Sequence, residues 1–249
     1  LIRSTRRGLT STPTPWIEEN TLHAAPVSII IPVHQEAASI HGLLDHVESL
    51  APPPAEILAA DGEDPPSTLQ AAQGRRARLL PSPKGRAVQM NLAATASSQP
   101  VLLFLHADTR LPAEALRLAC AALEEDGVAA GAFRLAFDQR SPGLELIARA
   151  ANLRTRRTRV PYGDQALFIR RRDFFAMGGF PEIPIMEDLV FMTRLRDSGR
   201  GLHLLDEPAV TSARRWRAEG LVRCTARNWT LRLLHHAGVS PNRLARYYR

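Results

Sequence analysis

The sequence predicts an α/β protein whose mostly parallel sheet is flanked by helices, and three observations predict it. In the first half of the chain, short apolar runs alternate four times with segments of helical periodicity. One of these runs, Val101-Leu-Leu-Phe-Leu105, contains no polar residue, the mark of a strand buried on both faces. Three runs lead straight into polar clusters, which a parallel sheet would gather at one edge, where α/β proteins bind ligands.

Taken in order, residues 1–25 are polar, with Pro13 and Pro15, and read as a flexible arm. Val27–Ile31 is β-branched and reads as the first strand. Residues 37–50 place Ile40, Leu43, Leu44, Val47 and Leu50 at helical spacing before Pro52-Pro-Pro54 stops the helix. Glu56–Ala60 is the second strand, 65–73 a helix with proline in its first turn, and Arg78–Leu80 the third strand. A helix over 85–97, the strand Val101–Leu105 and a helix from Pro112 to about Asp126 complete the alternation. Such alternation with short connections predicts right-handed crossovers. The second half is less regular: a strand over 128–137, a basic helix over 143–157, a strand over 166–170, and helices over 173–177 and 189–198. Two short strands, 202–205 and 209–212, and a long amphipathic helix over 219–237 follow.

Composition narrows the class. A 249-residue chain with 45% hydrophobic residues can fill a core. No run approaches the about 18 apolar residues of a membrane span, and no secretory signal is read. Cys120 and Cys224 form no CxxC pair, which argues against a disulfide or zinc framework and fits a reducing compartment. The expected location is the cytoplasm, with the inner face of the membrane as its alternative. The net charge of +7 favours phosphate-bearing ligands, anionic membrane or nucleic acid without choosing among them. Lys84 is the only lysine.

The polar clusters are Pro32-Val-His-Gln-Glu36 after the first strand, Asp61-Gly-Glu-Asp64 after the second and His106-Ala-Asp108 after the fourth. Lys84-Gly-Arg86 opens a helix on the same side, where two cations and free N–H groups could meet a phosphate. Neither G-x-G-x-x-G nor G-x-x-x-x-G-K-[ST] is present, so dinucleotide-fold and P-loop readings lose their mechanism.

Together these residues resemble the family 2 glycosyltransferases, which have the GT-A fold with a Rossmann-like sheet. The resemblance covers about Val27 to Trp216. It rests on Ile29-Ile-Ile-Pro-Val-His-Gln-Glu36, Ala60-Asp-Gly62, Lys84-Gly-Arg86, Leu103-Phe-Leu-His-Ala-Asp108, Gly163-Asp-Gln165 and Met186-Glu-Asp188. It is nearest to a small bacterial branch that carries Gly-Arg-Ala, Gln-Met-Asn and His-Ala-Asp-Thr, here Gly85–Ala87, Gln89–Asn91 and His106–Thr109. It implies one domain over 26–249, with a nucleotide-binding half (26–126), an acceptor and catalytic half (127–218) and a C-terminal helix and tail (219–249).

The resemblance implies a role for each matching residue. Pro32, Val33 and Glu36 would line the nucleoside pocket. Asp61 would accept a hydrogen bond from the base, usually uracil in this family. Lys84 and Arg86 would lie near base or phosphates, with His106, Ala107 and Asp108 under the donor. Asp108 matches the second carboxylate of the family's D-x-D element, which holds Mg2+ or Mn2+ against the diphosphate. His106 replaces the first. A single Asp108 can serve Mg2+, which often takes only one or two carboxylates plus phosphates, whereas ligation by His106 would favour Mn2+; direct ligation by His106 is not expected. Asp188 occupies the place of the catalytic base that would take the acceptor proton in one inverting displacement. Glu187 would orient the acceptor or the loop. Asp164 and Gln165 are candidates for donor sugar or acceptor, or for a turn.

Ser212-Ala-Arg-Arg-Trp216 resembles the Q-x-x-R-W element of processive members, with Ser212 in place of Gln. Arg214 or Arg215 could meet the diphosphate, and Trp216 could stack on a sugar or pack in the core. The donor would be a nucleotide sugar, a uridine diphosphate sugar first. The acceptor stays open, a lipid-linked one among the candidates. The C-terminal helix, where Arg223, Arg227 and Arg232 interleave with Leu221, Val222 and Trp229, could lie on an anionic membrane or pack on the domain by its apolar face. Three other readings compete: a binding-only homologue, a nucleotidyltransferase, and a basic nucleic-acid-binding protein. The nucleotidyltransferase lacks its Gly-rich loop, and the nucleic-acid reading lacks a reader motif, so no nucleic-acid partner is expected.

Overall fold

The computed structural model describes residues 24–248. The arm expected over 1–25 lies outside these residues except for its last two, and Ala25 already belongs to the first strand. The nucleotide-side half runs β1 (Ala25–Val33), α1 (Ile40–Glu48), β2 (Pro54–Asp61), α2 (Ser67–Ala71), β3 (Arg78–Pro81), α3 (Arg86–Ala96) and β4 (Val101–Phe104). A two-residue strand, β5 (Thr109–Arg110), and α4 (Ala115–Glu124) follow. Then come β6 (Val128–Phe137), α5 (Pro142–Thr158), β7 (Phe168–Arg170), α6 (Arg171–Ala176), α7 (Glu187–Asp197), β8 (Gly201–Thr211), α8 (Arg214–Glu219), α9 (Leu221–His236) and α10 (Pro241–Leu244).

The strands form one sheet in the order β3-β2-β1-β4-β7-β6-β8-β5. β1, β2, β3 and β4 are parallel, as are β6 and β8, while β7 is antiparallel to both β4 and β6. In register, Val33 pairs with Asp61 and Ile30 with Phe104, so the polar strand ends emerge along one edge.

Strand alternation fills both faces of the sheet. Val27, Ile29 and Ile31 pack with Leu43 and Leu44 of α1 and Leu116 of α4. Ile30, Leu58 and Leu102 face the other way, onto Met90 of α3, Phe174 of α6 and Phe191 of α7.

The sequence splits β8 in two because Asp206-Glu207-Pro208 looks like a turn. The structure keeps one strand. Its pairing with β6 shifts register between Ala132 and Arg134, and the bulge admits Pro208 opposite Arg134. α8, absent from the sequence reading, is set off from α9 by Gly220 at φ +85°.

Candidate active site

Two depressions lie along the carboxyl edge of the sheet. The first is an open groove of about 730 Å³ whose walls include His34, Gln35, Gly62, Asp64 and Lys84. Beneath it, Asp61 is fully buried. Its Oδ1 accepts the Glu63 N–H at 3.0 Å, and its Oδ2 accepts those of Thr68 at 3.1 Å and Leu69 at 3.3 Å. Three amides therefore occupy the carboxylate expected to meet the base, and Asp61 shapes the groove floor by holding the start of α2. Gln89, to which the sequence assigned no role, donates from Nε2 to Val33 O at 2.6 Å and Ala60 O at 2.8 Å, tying the ends of β1 and β2 together.

The second depression is a cavity of about 490 Å³. Arg86, His106, Asp108, Asp164 and Asp188 form its polar end. Asp188 sits in the first turn of α7, where the helix N-terminus favours negative charge. Met186 takes a left-handed conformation at φ +68° to start that helix. The Asp188 Oδ2 accepts the Gly163 N–H at 2.6 Å and its Oδ1 the Leu189 N–H at 2.7 Å, which fixes the carboxylate while leaving lone pairs free. A methyl group on Gly163 would stand 2.6 Å from His106 Nε2 and 3.3 Å from Asp188 Oδ2, so the three residues touch. Burial, with Arg86 adding to it, lowers the His106 pKa to about 3 against the pull of Asp188, and the imidazole is neutral. Burial raises Asp164 to about 6; Arg154 opposes the rise while Asp188 and Asp108 add to it.

Glu187 is 1% exposed and pairs with Arg86 Nε, while its other oxygen has no partner. Burial raises its pKa against Arg86. Burial also works against the Arg86 charge, but Glu187 and Asp188 outweigh it and raise the pKa. Arg86 is therefore held between the two halves of the chain rather than standing free. Arg214 reaches back similarly, 2.8 Å from Glu36 Oε1 and 3.7 Å from Asp108 Oδ2. Arg215 donates to the Tyr248 hydroxyl, and Trp216 lies edge-on to Phe137 with ring centroids 4.8 Å apart.

The fold thus brings Arg86, His106, Asp108, Asp164, Asp188, Arg215 and Trp216 to one cavity. Lys84 faces the groove instead, Glu36 joins through Arg214, and Pro32 and Ala107 line neither depression. Val33 and Gln165 line neither depression. The Val33 side chain is buried in the core. Gln165 is fully buried, accepts from Thr155 Oγ1 at 2.9 Å and the Tyr162 N–H at 3.2 Å, and donates to Phe133 O at 3.1 Å, which braces the loop. Sequence reasoning assigned no site role to Arg154, Tyr162 and Gly163. Among the described residues no group of three or more His, Cys, Asp or Glu could by itself hold a metal ion. The donor set for a cation is therefore lean. Asp108 could supply one hard oxygen ligand, enough where phosphates supply the others, and it shares the cavity with two further aspartates.

Residues 28–179, more than half of the chain, match the sequence model of Glycosyl transferase family 2. The chain belongs to that family. It has the GT-A fold, and solved structures repeat its architecture. The S. aureus TarS fragment 1–349 in complex with UDP has a TM-score of 0.58 at 17% identity, covering 75% of this chain and 60% of that one. This chain spans only 36% of the longer TarS structure. The mannosyltransferase PcManGT from Pyrobaculum calidifontis, in complex with GDP-Man and Mn2+, has a TM-score of 0.60 at 20% identity, covering 88% and 68%. Mannosyl-3-phosphoglycerate synthase from Rubrobacter xylanophilus has a TM-score of 0.55 at 18% identity, covering 86% and 75%. No curated protein matches the chain.

Proposed function

We propose that this glycosyltransferase is metal-dependent and inverting, that its donor is a nucleoside diphosphate sugar, a uridine diphosphate sugar first, and that Asp188 is its base. One observation carries the reading. The Asp188 carboxylate is fixed by Gly163 and Leu189 in the same cavity as Asp108 and Arg215. Asp188 takes the proton of an acceptor hydroxyl as its oxygen bonds to the anomeric carbon. The bond from that carbon to the diphosphate breaks in the same step, and the configuration inverts. Arg215 faces the departing phosphates. Asp108 would hold Mg2+ or Mn2+, which supplies charge neutralisation for the diphosphate. The relatives bound to UDP and to GDP-Man with Mn2+ support a nucleotide-sugar donor and a divalent cation.

Replacing Asp188→Asn should lower transfer by about a thousandfold, within the usual range for a positioned base, and leave UDP affinity within twofold. Near-normal turnover by this variant sinks the assignment. A wild-type protein that binds donors but neither transfers nor hydrolyses them with either metal would be the binding-only homologue.

A peripheral membrane contact through α9 belongs to the same reading. α9 buries only Cys224 and Leu231. Val222 is 83% and Leu233 64% exposed, and arginines stand beside them on the helix. Such a face suits an anionic bilayer at the inner side of the membrane. Co-sedimentation with phosphatidylglycerol vesicles but not with phosphatidylcholine vesicles is expected; no binding to either refutes the contact. Among the described residues no helix is long and apolar enough to cross a membrane.

A further inference from the structure

The cavity continues beyond the aspartates, between α5 and α9, into a region that donor chemistry leaves unused. α5 presents Leu146, Ile147, Ala150 and Ala151 at helical spacing, followed by Arg154 one turn on. α9 presents Trp229 and Leu231 from the opposite side. Leu146 is 68% and Trp229 50% exposed, so this end opens to the surface through an apolar rim.

Positive charge stands inside the channel. The Arg154 guanidinium stacks on the Tyr162 ring at 3.4 Å from its centroid, and Arg232 lies 5.4 Å from the same centroid and donates to the Tyr162 hydroxyl at 3.0 Å. Among the described residues neither arginine makes an ion pair, whereas Arg86 and Arg214 do. Arg154 Nε and Nη1, Thr225 Oγ1 and Asn228 Oδ1 are buried in the channel wall with no hydrogen-bond partner. Buried polar groups are rarely left so, because each forfeits its hydration without replacement. Two guanidiniums without an ion pair among the described residues, one of them with unpaired buried donors, beside an apolar strip that leads to the surface, match an occupant that is anionic at one point and apolar along its length.

We infer that the α5–α9 channel is the acceptor subsite and that it takes an anionic amphiphile, its charged group bound by Arg154 and Arg232 and its apolar chain laid along Leu146, Ile147 and Ala150 toward the rim. The inference rests on the glycosyl-transfer reading above and specifies that reading's acceptor. The guanidiniums fix the charged group near Asp164, and the acceptor hydroxyl then faces Asp188.

Calorimetry on the full chain with octyl phosphate, octyl glucoside and inorganic phosphate, each below any micelle threshold, tests it. Octyl phosphate should bind one to one, at least tenfold more tightly than either the neutral amphiphile or inorganic phosphate, and UDP should not displace it. Arg154→Gln and Arg232→Gln should each weaken octyl phosphate at least tenfold. Arg156→Gln, on the exposed side of α5, should not. Ala150→Trp, which fills the channel, should abolish octyl phosphate binding and leave UDP binding unchanged. Equal binding of octyl phosphate and inorganic phosphate, or of octyl phosphate and octyl glucoside, overturns the inference. So does displacement by UDP, which would give the guanidiniums to the donor. UDP binding without preferential octyl phosphate binding removes this acceptor class and keeps the donor reading. Octyl phosphate binding without UDP binding keeps the channel and removes the donor reading.

Discussion

Gly163 has no room for a side chain. A Cβ there would stand 2.6 Å from His106 Nε2 and 3.3 Å from Asp188 Oδ2, while its own N–H holds Asp188. Gly163→Ala should therefore displace the base without removing it. Displacements of about 1 Å cost on the order of a hundredfold, and we expect that loss in kcat with UDP affinity little changed, as measured by initial rates and calorimetry. Asp164 makes a different prediction. Its carboxyl titrates near 6 when folded, against 3.8 in its ordinary setting. Between those values the unfolded chain ionises first, so this group subtracts stability as pH rises from about 4 to 6 and subtracts its full amount above that. Asp164→Asn should flatten that part of the profile and raise stability at pH 7.5 by about 1–3 kcal/mol, followed by urea melts in metal-free buffer. At this scale the sequence was informative where chemistry is explicit. Asp108 stands out because it follows an apolar run, and Asp188 because Met186-Glu-Asp188 resembles the family's motif. Arg154 does not, because its helix reads as a solvated basic face until Tyr162 folds against it.

The elements place these residues by close approach. β6 carries Gly131 where it crosses β7 and β8. A Cβ at that point would run into the Phe168 ring and stand 2.7 Å from His203 O. Gly131→Ala should destabilise the protein by about 1–3 kcal/mol, as other overpacked cores do, with the shift read from the midpoint of urea unfolding. β8 was legible only in pieces. Its Pro208 looks like a stop in sequence, yet a bulge against β6 admits it. The helix starts were easier to read, since Asp188 and the apolar positions of α7 repeat at helical spacing. α9 was legible as amphipathic, but which of its faces would be covered depended on α5 and Tyr248.

Across the whole molecule, the β4–β7 ladder joins the two halves of one sheet, and Arg86–Glu187 and Arg214–Glu36 link them again above the site. Neither half holds a complete cavity. We therefore expect a single unfolding transition, with far-UV circular dichroism and tryptophan fluorescence coinciding; separated transitions would show the halves to be independent. UDP with Mn2+ at about 100 times its Kd should add about 2.7 kcal/mol by mass action, a rise of about 5–11 °C in Tm at about 2–4 °C per kcal/mol. The sequence by itself determined the alternating α/β order and the shared edge of the polar strand ends, because strand periodicity and chain direction are local properties. Only the tertiary structure decided that Asp61 and Gln165 are hydrogen-bonded within the protein and that Glu187 pairs with Arg86, while among the described residues Arg154 and Arg232 stand in the channel wall without an ion-pair partner. Whether a charge is neutralised depends on what lies opposite it in space, and residues 36, 86, 187 and 214 meet there only when the sheet closes.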